Sequence, residues 1–148
     1  MEPKDKVIVI TGGSGGIGSS MAKAFLREGA EAVVLSDLDN SMLEVCADAL
    51  GCDWRTCDVT VESQVQKLVD YAISKYGRVD VYCSNAGAAG SNSGVLTDAG
   101  NEVWQKQWDL HVMAHVYASR ALLPGMIERG EGYFLITSSA AGLLAATG

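Results

Sequence analysis

A tyrosine and a lysine four positions apart, Tyr71 and Lys75 in the stretch YAISK, could carry out acid–base chemistry. A free phenol has a pKa near 10 and is a poor base at neutral pH unless a neighbouring cation stabilises the phenolate. Apolar side chains recur at helical spacing through residues 61–76, and at 100° per residue Tyr71 lies roughly 130° from the centre of that stripe. The pattern therefore predicts that the pair faces water and takes no part in catalysis.

A glycine-rich stretch, TGGSGGIGSS at residues 11–20, is the second candidate for chemistry. It directly follows the apolar run 7–10 and opens a segment with the apolar spacing of a helix. Glycines at such a place allow a tight turn, and the free N–H groups at the start of the helix can hold a pyrophosphate. A P-loop would need a lysine at the position of Ser19, so the pattern disfavours ATP and GTP and predicts a dinucleotide.

An acidic residue, Asp37, ends the second apolar run nineteen residues after Gly18. A carboxylate at that place can accept hydrogen bonds from the ribose of an adenosine. It would repel a 2′-phosphate, and no Arg or Lys lies within the glycine-rich loop to attract one. We therefore expect NAD rather than NADP as the cofactor; the competing interpretation is a solvated charge at a strand end.

Strands and helices that would position these residues alternate along the chain. Because the apolar runs are nearly continuous, they are typical of parallel strands covered on both faces by helices. The predicted strands are 7–10, 32–36, 79–84 and 133–139, with a weaker candidate at 53–57.

Helical patterns fill the segments between the strands. Ser41 and Glu44 offer a capping box for a helix over 41–50. A long helix over about 102–128 is lined with large apolar residues, and Pro124 and Gly125 are expected to break it. The longest loop is predicted at 86–100, a length typical of functional or mobile loops.

Composition limits the classes of function. The 148 residues carry a formal net charge of −7 with a pI near 4.7, which argues against a nucleic-acid partner. The apolar runs are too short for a signal peptide or a membrane span, so we expect no membrane partner and a cytoplasmic location. The four cysteines form neither a CxxC pair nor a Cys/His cluster at metal spacing, which predicts reduced thiols and no metal site.

Three motifs in this order resemble the short-chain dehydrogenase/reductase family, in its classical branch. Residues 11–18 match its TGxxxGxG, Asp58 in CDVT matches its adenine-contacting Asp-Val, and SNAG at 84–87 matches its NNAG. The resemblance implies an α/β fold, a Rossmann-like doubly wound parallel sheet with strand order 3-2-1-4-5. Residues 1–148 would form one NAD(P)-binding domain that stops before the family's sixth and seventh strands. The implied cofactor-binding residues are Gly12, Ser14, Gly16, Ile17, Gly18, Asp37, Asp58, Val59, Asn85, Ala86 and Gly87.

The resemblance also implies hydride transfer between a nicotinamide and a small alcohol or ketone, with a tyrosine as general acid/base. A lysine lowers the pKa of that tyrosine, a serine orients the substrate oxygen, and an asparagine on the long helix supports a proton relay. Ser139 is the closest match to the serine, with Ser138 as a neighbouring alternative. His111 stands at the asparagine position, where its imidazole could keep the relay or simply bond to a neighbouring carbonyl.

The family's Tyr-x-x-x-Lys would follow Ser139, and no such pair occurs there within these 148 residues. We therefore expect an NAD-dependent oxidoreductase represented by its cofactor-binding part, which is inactive by itself. The alternative is a non-catalytic dinucleotide-binding or interaction module, and SNAG disfavours an S-adenosylmethionine-dependent methyltransferase. The apolar edge at 133–139 and the long helix predict self-association into a homo-oligomer.

Overall fold

The computed structural model describes residues 2–88 and 99–143. Its centre is a parallel sheet of five strands in the order β3-β2-β1-β4-β5, which confirms the predicted topology. The predicted strands at 79–84 and 133–139 are shorter than expected, and most of the predicted loop 86–100 falls outside the described residues. The strands are β1 (Val7–Thr11), β2 (Ala32–Asp37), β3 (Asp53–Thr56), β4 (Val81–Ser84) and β5 (Tyr133–Ile136).

Helices cover both faces of the sheet. The helices are α1 (Gly16–Arg27), α2 (Asn40–Leu50), α3 (Glu62–Tyr76), α4 (Asn101–Trp108) and α5 (Ala114–Arg129), with a π-helical turn (Asp109–Met113) between the last two. Alternate residues of β1 show the division: Ile8 and Ile10 pack with α1 and α2, whereas Val9 packs with α3 and α5. Burial on both faces explains why the strands read as continuous apolar runs.

The start of α2 differs from the prediction. The N-cap is Asp39, whose Oδ1 accepts hydrogen bonds from the N–H groups of Ser41 at 2.9 Å and Met42 at 3.2 Å. The prediction of a capping box formed by Ser41 and Glu44 is therefore wrong. An aspartate two residues earlier already satisfies the free N–H groups of the first turn.

The predicted break at Pro124 and Gly125 is also wrong, because α5 continues through both residues to Arg129. A proline removes one backbone hydrogen bond, and packing of the buried face against the sheet outweighs that loss. The helix ends at Gly130, which adopts a φ of 70° that favours glycine. The buried side chains of α5 recur every four residues, at Ala114, Ala118, Leu122 and Met126.

Much of the expected apolar lining of the long helix lies at the surface. Trp104 and Trp108 are 56% and 55% exposed. Strand β5 is also open, because among the described residues it pairs with β4 alone. Its residues Tyr133 and Ile136 are about half exposed.

The prediction that Tyr71 simply faces water is wrong. Tyr71 is half-buried and donates its hydroxyl hydrogen to Asp53 Oδ2 at 2.7 Å, and Tyr76 does the same at 2.6 Å. Lys75 forms an ion pair with the same carboxylate, and the Arg55 guanidinium stacks on the Tyr71 ring at 3.6 Å. Asp53 is the first residue of β3, so this cluster lies at the amino end of the strand, opposite the end where ligands bind in such sheets.

Hydrogen bonding controls the ionisation of Asp53. Partial burial acts to raise its pKa, but the hydrogen bonds from Lys75, Tyr76 and Tyr71 outweigh burial and lower the pKa from 3.8 to about 2. Because the folded-state pKa is depressed, the stabilisation is present above pH 3.8 and is lost as the pH falls towards 2.

Asp53→Asn should lower the free energy of unfolding by about 1–2 kcal/mol at pH 7, since two hydroxyl groups and an ammonium lose their ionised acceptor. Urea denaturation between pH 7 and pH 3 measures this change. Asp70→Asn is the matched control, because Asp70 lies on the exposed side of α3 and bonds only to Gln66 among the described residues. Equal stability of the two variants at pH 7 would contradict the assignment.

Candidate functional site

A cleft of about 780 Å³ lies at the carboxyl ends of the strands. The chain leaves β1 for α1 on one face of the sheet, and α5, which precedes β5 in the chain, packs on the other face. Neighbouring strands whose connections go to opposite faces leave a crevice between them, which is where open α/β sheets bind ligands. All eleven residues predicted to bind a cofactor line this cleft: Gly12, Ser14, Gly16, Ile17, Gly18, Asp37, Asp58, Val59, Asn85, Ala86 and Gly87.

The glycine-rich loop brings the start of α1 against the end of β1. A Cβ added to Gly18 would lie 2.2 Å from the carbonyl oxygen of Gly12, so no side chain fits at this position. Gly12 itself has a φ of 65°, in the left-handed region. Gly16 has no such restriction, because a Cβ there would meet nothing within 4 Å. The space beside Gly16 is open.

Three backbone N–H groups at the start of α1, those of Gly16, Ile17 and Gly18, have no hydrogen-bond partner within residues 2–88 and 99–143. No acidic side chain stands in the first turn of α1. Unpaired donors at the positive end of a helix form a binding place for an anion such as a phosphate.

Asp37, at the end of β2, is fixed by the glycine-rich loop. Its Oδ2 accepts hydrogen bonds from the Ser14 hydroxyl at 2.6 Å and the Ser14 N–H at 3.1 Å, and its Oδ1 accepts one from the Leu38 N–H at 2.8 Å. Asp37 is therefore bonded to the loop across from it rather than solvated at a strand end.

The segment after β3 forms another part of the wall. Asp58 Oδ1 accepts hydrogen bonds from the Thr60 N–H at 2.9 Å and the Thr60 hydroxyl at 2.7 Å, which fixes the turn into α3. Cys57 is buried beside it, and burial raises the pKa of its thiol to about 11. The thiol is protonated at neutral pH and is a poor nucleophile there.

Asn85 connects the ends of three strands by hydrogen bonds. Its Nδ2 donates to the carbonyl oxygens of Thr11 at 3.0 Å and Gly12 at 3.3 Å, and its Oδ1 accepts a hydrogen bond from the Thr137 hydroxyl at 2.8 Å. The Thr11 hydroxyl accepts the N–H groups of Asn85 and Ala86 at 3.0 and 3.1 Å. The ends of β1, β4 and β5 are thus joined by one amide side chain.

Two histidines one helical turn apart contact the end of β4 and the segment that follows it. His115 Nδ1 lies 2.6 Å from the buried Ser84 hydroxyl, and His111 Nε2 lies 3.1 Å from the carbonyl oxygen of Ala88. The second contact agrees with the alternative interpretation of His111, a bond to a neighbouring carbonyl. Burial, followed by the nearby His111, lowers the pKa of His115 below 6.5.

The two predicted catalytic residues stand just outside the cleft lining. His111 lies in the π-helical turn next to Leu110, which does line the cleft. Ser139 lies two residues beyond Thr137, another lining residue, and its carbonyl accepts the Gly142 N–H at 3.0 Å.

Sequence reasoning missed part of the lining. Lys106, Gln107 and Leu110 come from α4 and the π-helical turn, and Lys106 brings a positive charge to the cleft. Which side chains of this helical segment face the cleft depends on the orientation of the helix about its axis, and only the structure gives that orientation. Across the described part of the chain, no cluster of three metal-ligating side chains occurs and no helix is long and apolar enough to cross a membrane.

The sequence of residues 6–148 matches the family model described as short chain dehydrogenase. The chain belongs to the short chain dehydrogenase family. The predicted family and the predicted fold class are therefore both confirmed.

Individual relatives agree with this assignment. The "short chain aldehyde dehydrogenase 1" of Euphorbia lathyris is 34% identical over 146 residues, which are 97% of this chain and 51% of the relative. A solved short chain dehydrogenase/reductase from Burkholderia phymatum in complex with NAD has a TM-score of 0.92 at 31% identity, over 99% of this chain and 53% of that one. NAD+-bound xylitol dehydrogenase has a TM-score of 0.89 at 27% identity, over 99% and 58%. The chain spans about half the length of the curated relatives it matches.

Gly18→Ala should destabilise this member of the short chain dehydrogenase family strongly, by about 2–4 kcal/mol, because the new Cβ would meet backbone atoms of Gly12 and Gly13 that cannot yield. Gly16→Ala is the matched control and should fold like the unchanged chain. Thermal unfolding of both variants measures the difference. Equal melting temperatures would contradict the close approach of α1 to β1.

The His115–Ser84 contact should make stability depend on pH. Since the folded-state pKa of His115 is below 6.5, its contribution is present above pH 6.5 and is lost as the pH falls through the depressed value. His115→Asn keeps a hydrogen-bonding group near the Nδ1 position and should flatten the stability–pH curve between about pH 7 and 5. Urea denaturation provides the curve. His111→Asn is the comparison and should keep most of the slope, because burial is the larger cause of the lowered pKa of His115.

Proposed function

We propose that residues 1–148 form the NAD(P)-binding domain of an oxidoreductase that transfers hydride between a nicotinamide and a small alcohol or ketone. The observation that carries this proposal is the set of unpaired N–H groups at Gly16, Ile17 and Gly18, which line the same cleft as Asp37. Phosphate-binding donors and a ribose-binding carboxylate in one cleft are the two parts that a dinucleotide requires.

The residues present fit such a cofactor. The open space beside Gly16 lets a pyrophosphate approach the backbone closely, and the N–H groups of the first turn would hold it. Asp37 would accept hydrogen bonds from the adenosine ribose, and Asp58 and Val59 would border the adenine. Asn85, Ala86 and Gly87 would form the wall on the other side of the switch point.

NAD is favoured over NADP by charge. Asp37 is held at the cleft by three protein donors, and its carboxylate would repel a 2′-phosphate. The positive charge of Lys106 comes from α4 rather than from the glycine-rich loop. Support also comes from the similar structures, one in complex with NAD and one NAD+-bound.

The reaction would need further groups. A bound nicotinamide supplies the site that accepts or donates hydride. Ser139 would orient the substrate oxygen, and His111, which bonds to the Ala88 carbonyl through Nε2, would keep Nδ1 for a proton relay. Tyr71 and Lys75 form the only Tyr-x-x-x-Lys in the 148 residues, and both are engaged by Asp53 at the other end of the sheet. We therefore propose that this chain by itself binds the cofactor without turnover.

We further propose that the protein is cytoplasmic and that it pairs with a second copy of itself. All four cysteines are free thiols, as expected in a reducing compartment. Exposed apolar side chains on β5 and on the outer side of α5, such as Ile136 and Ile127, would be covered in a homo-oligomer.

Isothermal titration of the 148-residue chain should show binding of NADH that is tighter than binding of NADPH. Gly16→Ala should weaken NADH binding roughly tenfold or more, because its Cβ would occupy the space reserved for the pyrophosphate. Gly125→Ala in α5 is the control, since its Cβ would meet only the flexible end of Arg129.

Absence of NADH binding by the unchanged, folded chain would overturn the proposed function. Cofactor binding alone also suits a non-catalytic dinucleotide-binding module. Oxidation of NADH with a ketone substrate by the purified chain would refute the proposed lack of turnover.

A further inference from the structure

A second cavity, of about 540 Å³, lies between β3, the strand at one edge of the sheet, and α3. Within the described part of the chain, it shares no lining residue with the cleft at the carboxyl ends of the strands. Its lining includes two cations, Arg55 and Lys67, and among the described residues it includes no Asp or Glu. A positively charged cavity thus stands in a chain whose formal net charge is −7.

The guanidinium group of Arg55 is held in place within this lining. Its central carbon lies 3.6 Å from the centre of the Tyr71 ring, and its Nη1 donates to the Trp54 carbonyl oxygen at 2.9 Å. A guanidinium has five N–H donors, and residues 2–88 and 99–143 provide Arg55 with no other acceptor. The remaining N–H groups are therefore positioned for a ligand.

Lys67 brings the second positive charge, and it has no ion pair with any described residue. The neighbouring acids on α3 and β3 bind other cations. Glu62 pairs with Arg120 at 3.0 Å, and Asp53 pairs with Lys75. The described carboxylates therefore leave both charges of the cavity without a counter-charge.

Neutral side chains complete the lining. The Gln64 Oε1 accepts the Asp58 N–H at 2.9 Å, which leaves the NH₂ group of Gln64 as a donor. Ser63 adds a hydroxyl group, and Leu68 adds an apolar surface beside the Tyr71 ring. The cavity thus combines positively charged and neutral donors with an apolar wall.

We propose that this cavity binds the phosphate group of a small organic phosphate. A guanidinium can bind two phosphate oxygens at once, and an ammonium adds a second positive charge, so the pair matches a phosphate dianion better than a carboxylate with its single charge. The carbon part of the ligand would lie against Leu68. The inference does not depend on the proposed function, because the cavity and the cofactor cleft are formed by different residues.

Titration of the ¹⁵N-labelled 148-residue chain with inorganic phosphate and with phenyl phosphate, at constant ionic strength, tests the proposal by NMR. The amide signals of Arg55, Ser63, Gln64 and Lys67 should shift and saturate with both probes. Phenyl phosphate should bind about threefold or more tightly than inorganic phosphate, because its ring can pack on the apolar wall. Shifts confined to residues 12–18, or equal affinity for the two probes, would overturn the proposal.

Two variants test the cations separately. Lys67→Gln and Arg55→Gln should each weaken phenyl phosphate binding roughly tenfold. Lys23→Gln is the matched control, because Lys23 is exposed on α1, does not line the cavity and carries the same charge. Thermal unfolding checks that each variant is folded, and Lys67 is an exposed helix residue whose replacement leaves the Arg55–Tyr71 contact in place. Unchanged binding in Lys67→Gln, or an equal loss in Lys23→Gln, would overturn the proposal.

Discussion

The close approach of Gly18 to the carbonyl group of Gly12 is the contact on which the cleft depends. It places the first turn of α1 directly against the end of β1, so that the unpaired N–H groups of Gly16 and Ile17 open into the crevice. A larger residue at position 18 would move α1 outwards and separate these donors from Asp37. The loop bonds to β2 through Gly13, whose N–H donates to the Ser36 carbonyl at 2.9 Å.

The other side of the cleft is held by side chains rather than by close backbone contact. Asn85 connects the ends of three strands. His115 bonds to the end of β4, and His111 bonds to the segment that follows it. The glycine-rich loop and this segment are therefore each fixed independently of any ligand. A ligand would bind in such a cleft with little loss of conformational freedom, because the donors and acceptors of the cleft are already in position.

Local motifs made the residues that line the cleft predictable, whereas contacts between distant segments were not predictable. Glycines after a strand and an acid after the next strand lie together in any parallel sheet of this order, so their positions follow from topology. The environment of Tyr71 was mispredicted because Asp53, eighteen positions away in the chain, reaches it from a neighbouring strand. Lys106 was missed because helical periodicity assumes one geometry throughout, and the π-helical turn changes the rotation of the long helix.

The π-helical turn also makes the length of that helix segment critical. A π-helical turn holds one residue more than an α-helical turn, and one residue corresponds to a rotation of about 100°. Deleting a residue between Asp109 and Met113 would leave the buried face of α5 packed on the sheet. The helical turns that precede the deletion would then be rotated about the helix axis. Lys106 would then leave the cleft wall. In this family member, the composition of that wall is thus set by the number of residues in a helix as much as by their identity.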